Sequence, residues 1–170
     1  MALNDHRRNA PESVKCMIIT VSDTRDRNTD KSGKLIKDFL EEHGHQVSSY
    51  LIVKDEREFI ENALHKGIEN EEVEVIVTNG GTGIAPRDVT IEAVESLIDK
   101  EISGFGELFR MLSYTEDIGS AALLSRAVAG VARKTAIFST PGSSGAVKLA
   151  MRRLIIPEIT HVAAELKKGH

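Results

Sequence analysis

Two carboxylates and two clusters of small residues carry the chemistry legible in this chain. The first cluster is Thr78-Asn79-Gly80-Gly81-Thr82-Gly83, which follows a β-branched run of Val73, Val75, Ile76 and Val77. Glycines this dense let the backbone turn with φ > 0 and bring its N–H groups against a ligand. Pro86 stiffens the way out, Arg87 and Asp88 offer opposite charges, and Thr90 is placed to cap a helix beginning at Ile91. A strand, an amide-rich loop and a helix N-terminus in succession bind anions, most often phosphate. Two familiar phosphate motifs fail here. No lysine follows Gly83, as the Walker A pattern requires, and Pro86 stands where the dinucleotide fingerprint needs its third glycine. A plain chain-reversing turn is the competing reading, but it has no need of four small residues followed by Arg-Asp.

The second cluster, Thr140-Pro141-Gly142-Ser143-Ser144-Gly145, is another amide-rich turn ahead of a helix. Two such loops suit a substrate carrying more than one phosphate group. Neutral N–H groups bind such anions, whereas Asp88 and Asp55 repel them unless a divalent cation intervenes, and Mg²⁺ is the hard, oxygen-preferring ion for that task. Asp55 can equally cap the helix that follows it. Ser22-Asp23-Thr24 ends a strand, where open α/β sheets place ligands, although Ser and Asp are also ordinary turn residues. Nothing in the chain supplies an obvious nucleophile, and phosphoryl-type transfer by positioning and charge neutralisation needs none.

The elements that must position these residues alternate. Residues 14–21 read as a first strand with Cys16 as a small core residue, and residues 47–53 as a second. Between them Leu35, Ile36, Phe39 and Leu40 recur at helical spacing behind Ser32 as a candidate cap, with Gly44 suited to the C′ position. His43 and His45 flank that glycine and are expected to face solvent. The polar stretch 25–31 reads as a mobile loop over the site. Phe59, Ile60, Ala63 and Leu64 form a second helix face, and the helix from Ile91 carries Glu92 and Glu95 near its first turn, where they suit the dipole. Residues 103–110 read as a short helix tucking Phe105 and Phe109 into the core. Residues 127–131 and 135–139 form a β-hairpin around Arg133-Lys134, and Val147, Met151, Leu154 and Ile155 mark a last stripe, interrupted at Pro157 and resumed by Ile159. The sum is an α/β fold: a doubly wound, mostly parallel sheet with helices on both faces and an antiparallel edge hairpin, in three αβα layers.

Composition narrows the class. The 170 residues suit one domain, residues 14–170 behind a mobile tail at 1–13, and 41% hydrophobic with 28% charged residues is ordinary for a globular protein. With no Trp, two Tyr and five Phe, the core is aliphatic. A net charge of −4 excludes a broad nucleic-acid surface, and Lys148, Arg152 and Arg153 form only a local basic cluster. The single cysteine suits a reducing cytoplasm, and no apolar run approaches a membrane span.

Four stretches in order resemble the MoaB/MogA family of molybdenum cofactor biosynthesis proteins: V-S-D from Val21, T-N-G-G-T-G-I-A-P-R-D-V-T from Thr78, S-G-F-G-E-L-F-R from Ser103 and S-T-P-G-S-S-G-A-V from Ser139. Ile84-Ala85-Pro86 and the stretch around Ser125-Arg126-Ala127 are closer to the MoaB branch. The resemblance implies a molybdopterin-binding domain that transfers an adenylyl group from Mg-ATP to the terminal phosphate of molybdopterin. It implies that Gly80, Gly81, Thr82 and Gly83 cradle nucleotide phosphates, and that Asp55 and Asp88 hold Mg²⁺ as the catalytic pair. It also implies that Ser22, Asp23, Ser103, Pro141, Gly142 and Ser143 seat the pterin, in a homo-trimer or hexamer. The Ser143-Ser144 pair departs from the proline many relatives carry after the glycine. The alternative is a non-catalytic molybdopterin-binding or carrier protein, which has no need of two carboxylates beside phosphates.

Overall fold

The structure, a computed structural model, describes residues 10–168. The expected tail lies outside the described residues over 1–9. A six-stranded sheet runs in the order β2-β1-β3-β6-β5-β4. Its strands are β1 (Lys15–Val21), β2 (Gln46–Val53), β3 (Val75–Asn79), β4 (Lys100–Glu101), β5 (Val128–Ala132) and β6 (Thr135–Thr140). β2, β1, β3 and β6 are mutually parallel, while β5 runs antiparallel to β6 and β4 antiparallel to β5.

The helices are α1 (Lys31–Glu42), α2 (Arg57–Glu69), α3 (Thr90–Leu97), α4 (Ser103–Glu116), α5 (Ser144–Ala150) and α6 (Ile156–Leu166), with a 3₁₀ turn at Gly119–Leu124. Because side chains alternate along a strand, the central strands feed two cores. Cys16, Ile18, Val75, Val77 and Phe138 pack under α1, α4 and α6, whereas Met17, Ile19, Ile76 and Ile137 pack under α2 and α3. Phe105 also meets Phe138 edge-on at 5.3 Å. Burial pushes the Cys16 thiol up to about 12, so it is inert packing. Among the described residues no helix is long and apolar enough to cross a membrane.

The three-layer α/β architecture is as expected, with local corrections. The hairpin does not end the sheet: β4, a two-residue strand, pairs with β5 and takes the outer edge. Asp30, not Ser32, caps α1, its carboxylate accepting from Gly33 N, while Ser32 is buried with its hydroxyl turned to Gly142. Thr90 is the first residue of α3 and makes no cap bond. His45 is buried rather than solvent-facing, its Nδ1 accepting from Val14 N at 3.2 Å. The helix expected at 103–110 continues to Glu116. At Pro157 the stripe is not broken: a π turn (Met151–Ile155) carries α5 into α6, with Pro157 in the first turn, where a missing N–H costs little. The stretch read as a mobile loop at 25–31 is a folded turn, in which Asp26 Oδ1 accepts from Asn28 N at 2.8 Å and Thr29 N at 3.0 Å.

Candidate functional site

β1 lies between β2, reached by one crossover, and β3, reached by the opposite winding, so the sheet reverses direction of growth there. Ligands of open α/β sheets bind at the carboxyl edge of that switch. The loops after β1, β2, β3 and β6 converge on this edge. Between the loops after β3 and β6 opens a cleft of ≈ 330 Å³ lined by Gly80, Gly81, Thr82, Gly83, Asp88, Arg126, Pro141 and Gly142, together with Ala121, Leu124 and Ser125.

The glycines are there for physical reasons. Gly80 and Gly81 have φ of +95° and +68°, a region side chains resist. A Cβ on Gly80 would overlap Val21 O, and one on Gly81 would overlap Thr90 Oγ1. A Cβ on Gly142 would stand 3.1 Å from Gly80 Cα, and Gly80 N donates to Thr140 O at 3.1 Å, so the two loops touch. The N–H groups of Gly81, Thr82, Gly83, Ile84, Gly142 and Ser143 have no acceptor among the described residues and remain as donors.

Asp88 lines the cleft and folds back on its own loop, Oδ2 accepting from Ala85 N at 3.2 Å. Asp55 follows β2 and does not cap α2, whose N-cap is Glu56. Its N–H donates to Asp23 Oδ1 at 3.0 Å, and Asp23 in turn pairs with Arg87. Burial, with Asp88 and Asp23 nearby, pushes the Asp55 carboxyl above its ordinary range against an opposing pull from Arg87. Asp55 Oδ1 and Thr90 Oγ1, both buried and without a partner among the described residues, flank Gly81. An orphaned buried carboxylate oxygen in a field of like charges fits a divalent cation. No group of three His, Cys, Asp or Glu able to hold a metal occurs among the described residues. Asp55 and Asp88 offer carboxylate oxygens, the donor type that a hard divalent cation takes.

The remaining expected residues separate. Pro141 and Gly142 line the cleft. Ser143 caps α5, its Oγ accepting from Ala146 N at 3.2 Å. Ser22 makes turn chemistry, its Oγ accepting from Thr24 N and Arg25 N, and Asp23 stands with Asp55 and Arg87 rather than beside Gly142. Ser103 is exposed at the start of α4, beyond β4, and does not line the cleft. Arg126 was not singled out for a role by sequence reasoning. Its partners are 34 to 44 residues away, so no spacing could reveal it. Beneath the cleft, Asn79 Nδ2 donates to Thr20 Oγ1 at 2.9 Å, Tyr50 OH donates to Asp30, and Ser32 Oγ donates to Gly142 O at 2.7 Å.

Comparison with known proteins agrees with this architecture. Residues 17–161 match a family model described as a probable molybdopterin binding domain. The chain is 60% identical over 168 residues to molybdenum cofactor biosynthesis protein B of Bacillus subtilis (strain 168), covering 99% of each. A crystal structure of a molybdenum cofactor biosynthesis protein B aligns with TM-score 0.90 at 59% identity, over 93% of this chain and 98% of that one. The tungsten cofactor synthesizing protein MoaB of Pyrococcus furiosus aligns with TM-score 0.83 at 41% identity, over 94% and 100%. A chain that matches this family model over residues 17–161 and these proteins over more than nine-tenths of its length belongs to the MoaB/MogA family of molybdenum cofactor biosynthesis proteins.

Proposed function

We propose that this chain, acting in molybdenum cofactor biosynthesis, transfers an adenylyl group from Mg-ATP to molybdopterin. The observation that carries the reading is the meeting of two loops with unbonded N–H groups in one cleft, with Asp88 on its wall and Asp55 behind Gly81. The Gly81–Ile84 amides donate to nucleotide phosphate oxygens, and the Pro141–Gly142 side seats the pterin. A terminal phosphate oxygen of molybdopterin attacks the α-phosphorus of ATP as the bond to the β-phosphate oxygen breaks, and pyrophosphate leaves. Asp55 and Asp88 are the residues that hold Mg²⁺, which neutralises phosphate charge when bound. Preorganised amides cost no reorganisation during the step, and no protein nucleophile is used.

The same reading includes a homo-trimer or hexamer working in the cytoplasm. Its support is an exposed apolar face on α4 and the 3₁₀ turn: Leu108, Met111, Tyr114, Ile118, Leu123 and Leu124. Patches of this kind on a globular chain mark association. The hairpin edge is no support for it, because β4 covers β5. Incubation of the purified chain with molybdopterin and Mg-ATP, with product separated by chromatography and pyrophosphate measured, tests the chemistry. Adenylylated pterin is expected. Pterin binding with no nucleotide binding at millimolar concentration would instead identify a carrier.

A further inference from the structure

Arg126 lies just ahead of β5, and its guanidinium is spent on the first loop and the helix that leaves it. Nε donates to Thr82 O at 3.0 Å and to Gly83 O at 3.2 Å, Nη2 reaches Asp88 O at 3.4 Å, and both Nη atoms engage Glu92, Nη1 at 2.6 Å. One planar group therefore ties the start of the loop, its end and the first turn of α3. The loop's own bonds are few: Asp88 N to Ala85 O, Ala85 N to Asp88 Oδ2 and Thr90 N to Gly81 O.

A peptide unit is planar, so fixing a carbonyl fixes the N–H of the next residue, which points the opposite way. Holding Thr82 O and Gly83 O thus sets the direction of the Gly83 and Ile84 N–H groups, which carry no other bond. Holding Asp88 O sets the backbone from which the Asp88 carboxylate projects. We propose that Arg126, anchored by Glu92, is the positioning residue of the nucleotide-phosphate subsite: a staple that keeps the loop's amides and Asp88 in their binding arrangement before ligand arrives. This rests on the nucleotide reading of the loop. With Glu92 matched against it, the guanidinium is not itself the phosphate ligand; affinity comes from the neutral amides it orients. Only arginine serves, because lysine presents one ammonium and cannot reach both ends of the loop while holding a carboxylate.

The test is isothermal titration of wild type, Arg126→Lys and Glu92→Gln with Mg²⁺ and a non-hydrolysable ATP analogue, and separately with molybdopterin. Losing a charge-assisted fork weakens nucleotide binding roughly tenfold in Arg126→Lys, with a smaller loss in Glu92→Gln. Pterin affinity stays within about twofold of wild type, since the second loop is held by Arg25 and Ser32 instead. Equal weakening of both ligands means a merely structural role and overturns the staple. Wild-type nucleotide affinity in Arg126→Lys overturns it while leaving the nucleotide site intact. Where Arg126→Lys is too unstable to titrate, unchanged nucleotide affinity in Glu92→Gln overturns it equally. A wild type that binds no nucleotide at millimolar concentration overturns the nucleotide reading and the staple together.

Discussion

The two loops of the cleft look alike in sequence and are built differently. The loop after β3 uses two glycines at positive φ, and the N–H groups of Gly81, Thr82, Gly83 and Ile84 have no acceptor among the described residues. The loop after β6 has no positive φ, and α5 is capped by its own Ser143, which takes the Ala146 N–H. Carbonyls of the first are gripped by Arg126, and the Gly142 carbonyl of the second by Arg25 at 3.3 Å and Ser32. A loop that leaves its donors unspent is suited to concentrated negative charge. One that satisfies its own helix end offers a shaped wall and a few amides, which suits a neutral ring system with a polar edge. The resemblance of two Gly-rich turns on paper thus conceals two different constructions.

The largest way to break this comparison is at the carboxylates. Asp88→Asn is expected to lower Mg²⁺-dependent turnover at least a hundredfold with an almost unchanged melting temperature, because a half-buried loop carboxylate whose one hydrogen bond is to Ala85 N contributes little packing. Steady-state kinetics beside a thermal melt would show this, and full activity would remove Asp88 from the metal site. Next comes the backbone itself. Gly80→Ala forces a Cβ into Val21 O at φ +95°, a strain of about 1–3 kcal/mol or more, and should lower the melting temperature by several degrees along with nucleotide affinity. Gly142→Ala, whose Cβ meets Gly80 alone, 3.1 Å from its Cα and 3.5 Å from its N, should cost less stability and fall on pterin affinity. If the two variants behave alike, the loops are not distinct.

A third prediction concerns pH. The folded state raises the Asp55 pKa, so ionising that carboxyl costs stability: the favourable contribution is complete below the unfolded value of 3.8 and is lost as pH rises through the folded one. Asp55→Asn should therefore be increasingly more stable than wild type as pH climbs from 4 to 7 in calorimetry. The gap should close on adding Mg²⁺ with nucleotide, while the variant loses turnover. A gap that is flat with pH would contradict the buried-charge account. Ser143→Ala should cost about 1 kcal/mol by removing the α5 cap. The smallest effect belongs to Thr90→Val, which trades an orphaned buried hydroxyl for a methyl and should leave the ligand-free melting temperature equal or slightly higher.

The glycine loop, the alternating strands, the aliphatic core and both cleft loops were readable in the chain because each depends on residues adjacent in sequence. Pattern and φ preference are local properties. Ser22 was readable as turn chemistry, although its placement at a strand end suggested a ligand, whereas the cap that Ser143 makes on α5 was not read. What pattern could not show is which distant groups meet. Ser32 could cap α1 on paper, yet Asp30 does so because Tyr50 and Arg25 gather around its carboxylate, leaving Ser32 to reach across to Gly142. His45 reads as a surface residue beside a helix-ending glycine until β1 starts next to it and offers the Val14 N–H.

By itself, then, the sequence determined that this would be a mostly parallel α/β sheet with a glycine-rich loop after its third strand, because hydrophobic period, β-branching and glycine freedom act over a few residues. Only the tertiary structure decided that β6 returns beside β3 and brings the second loop into contact with the first. It also decided that β4 closes the edge, and that Arg126 and Glu92, separated by 34 residues, meet across the glycine loop. Those choices rest on burial and on pairing between segments far apart in the chain, and such contacts exist only once the sheet has assembled.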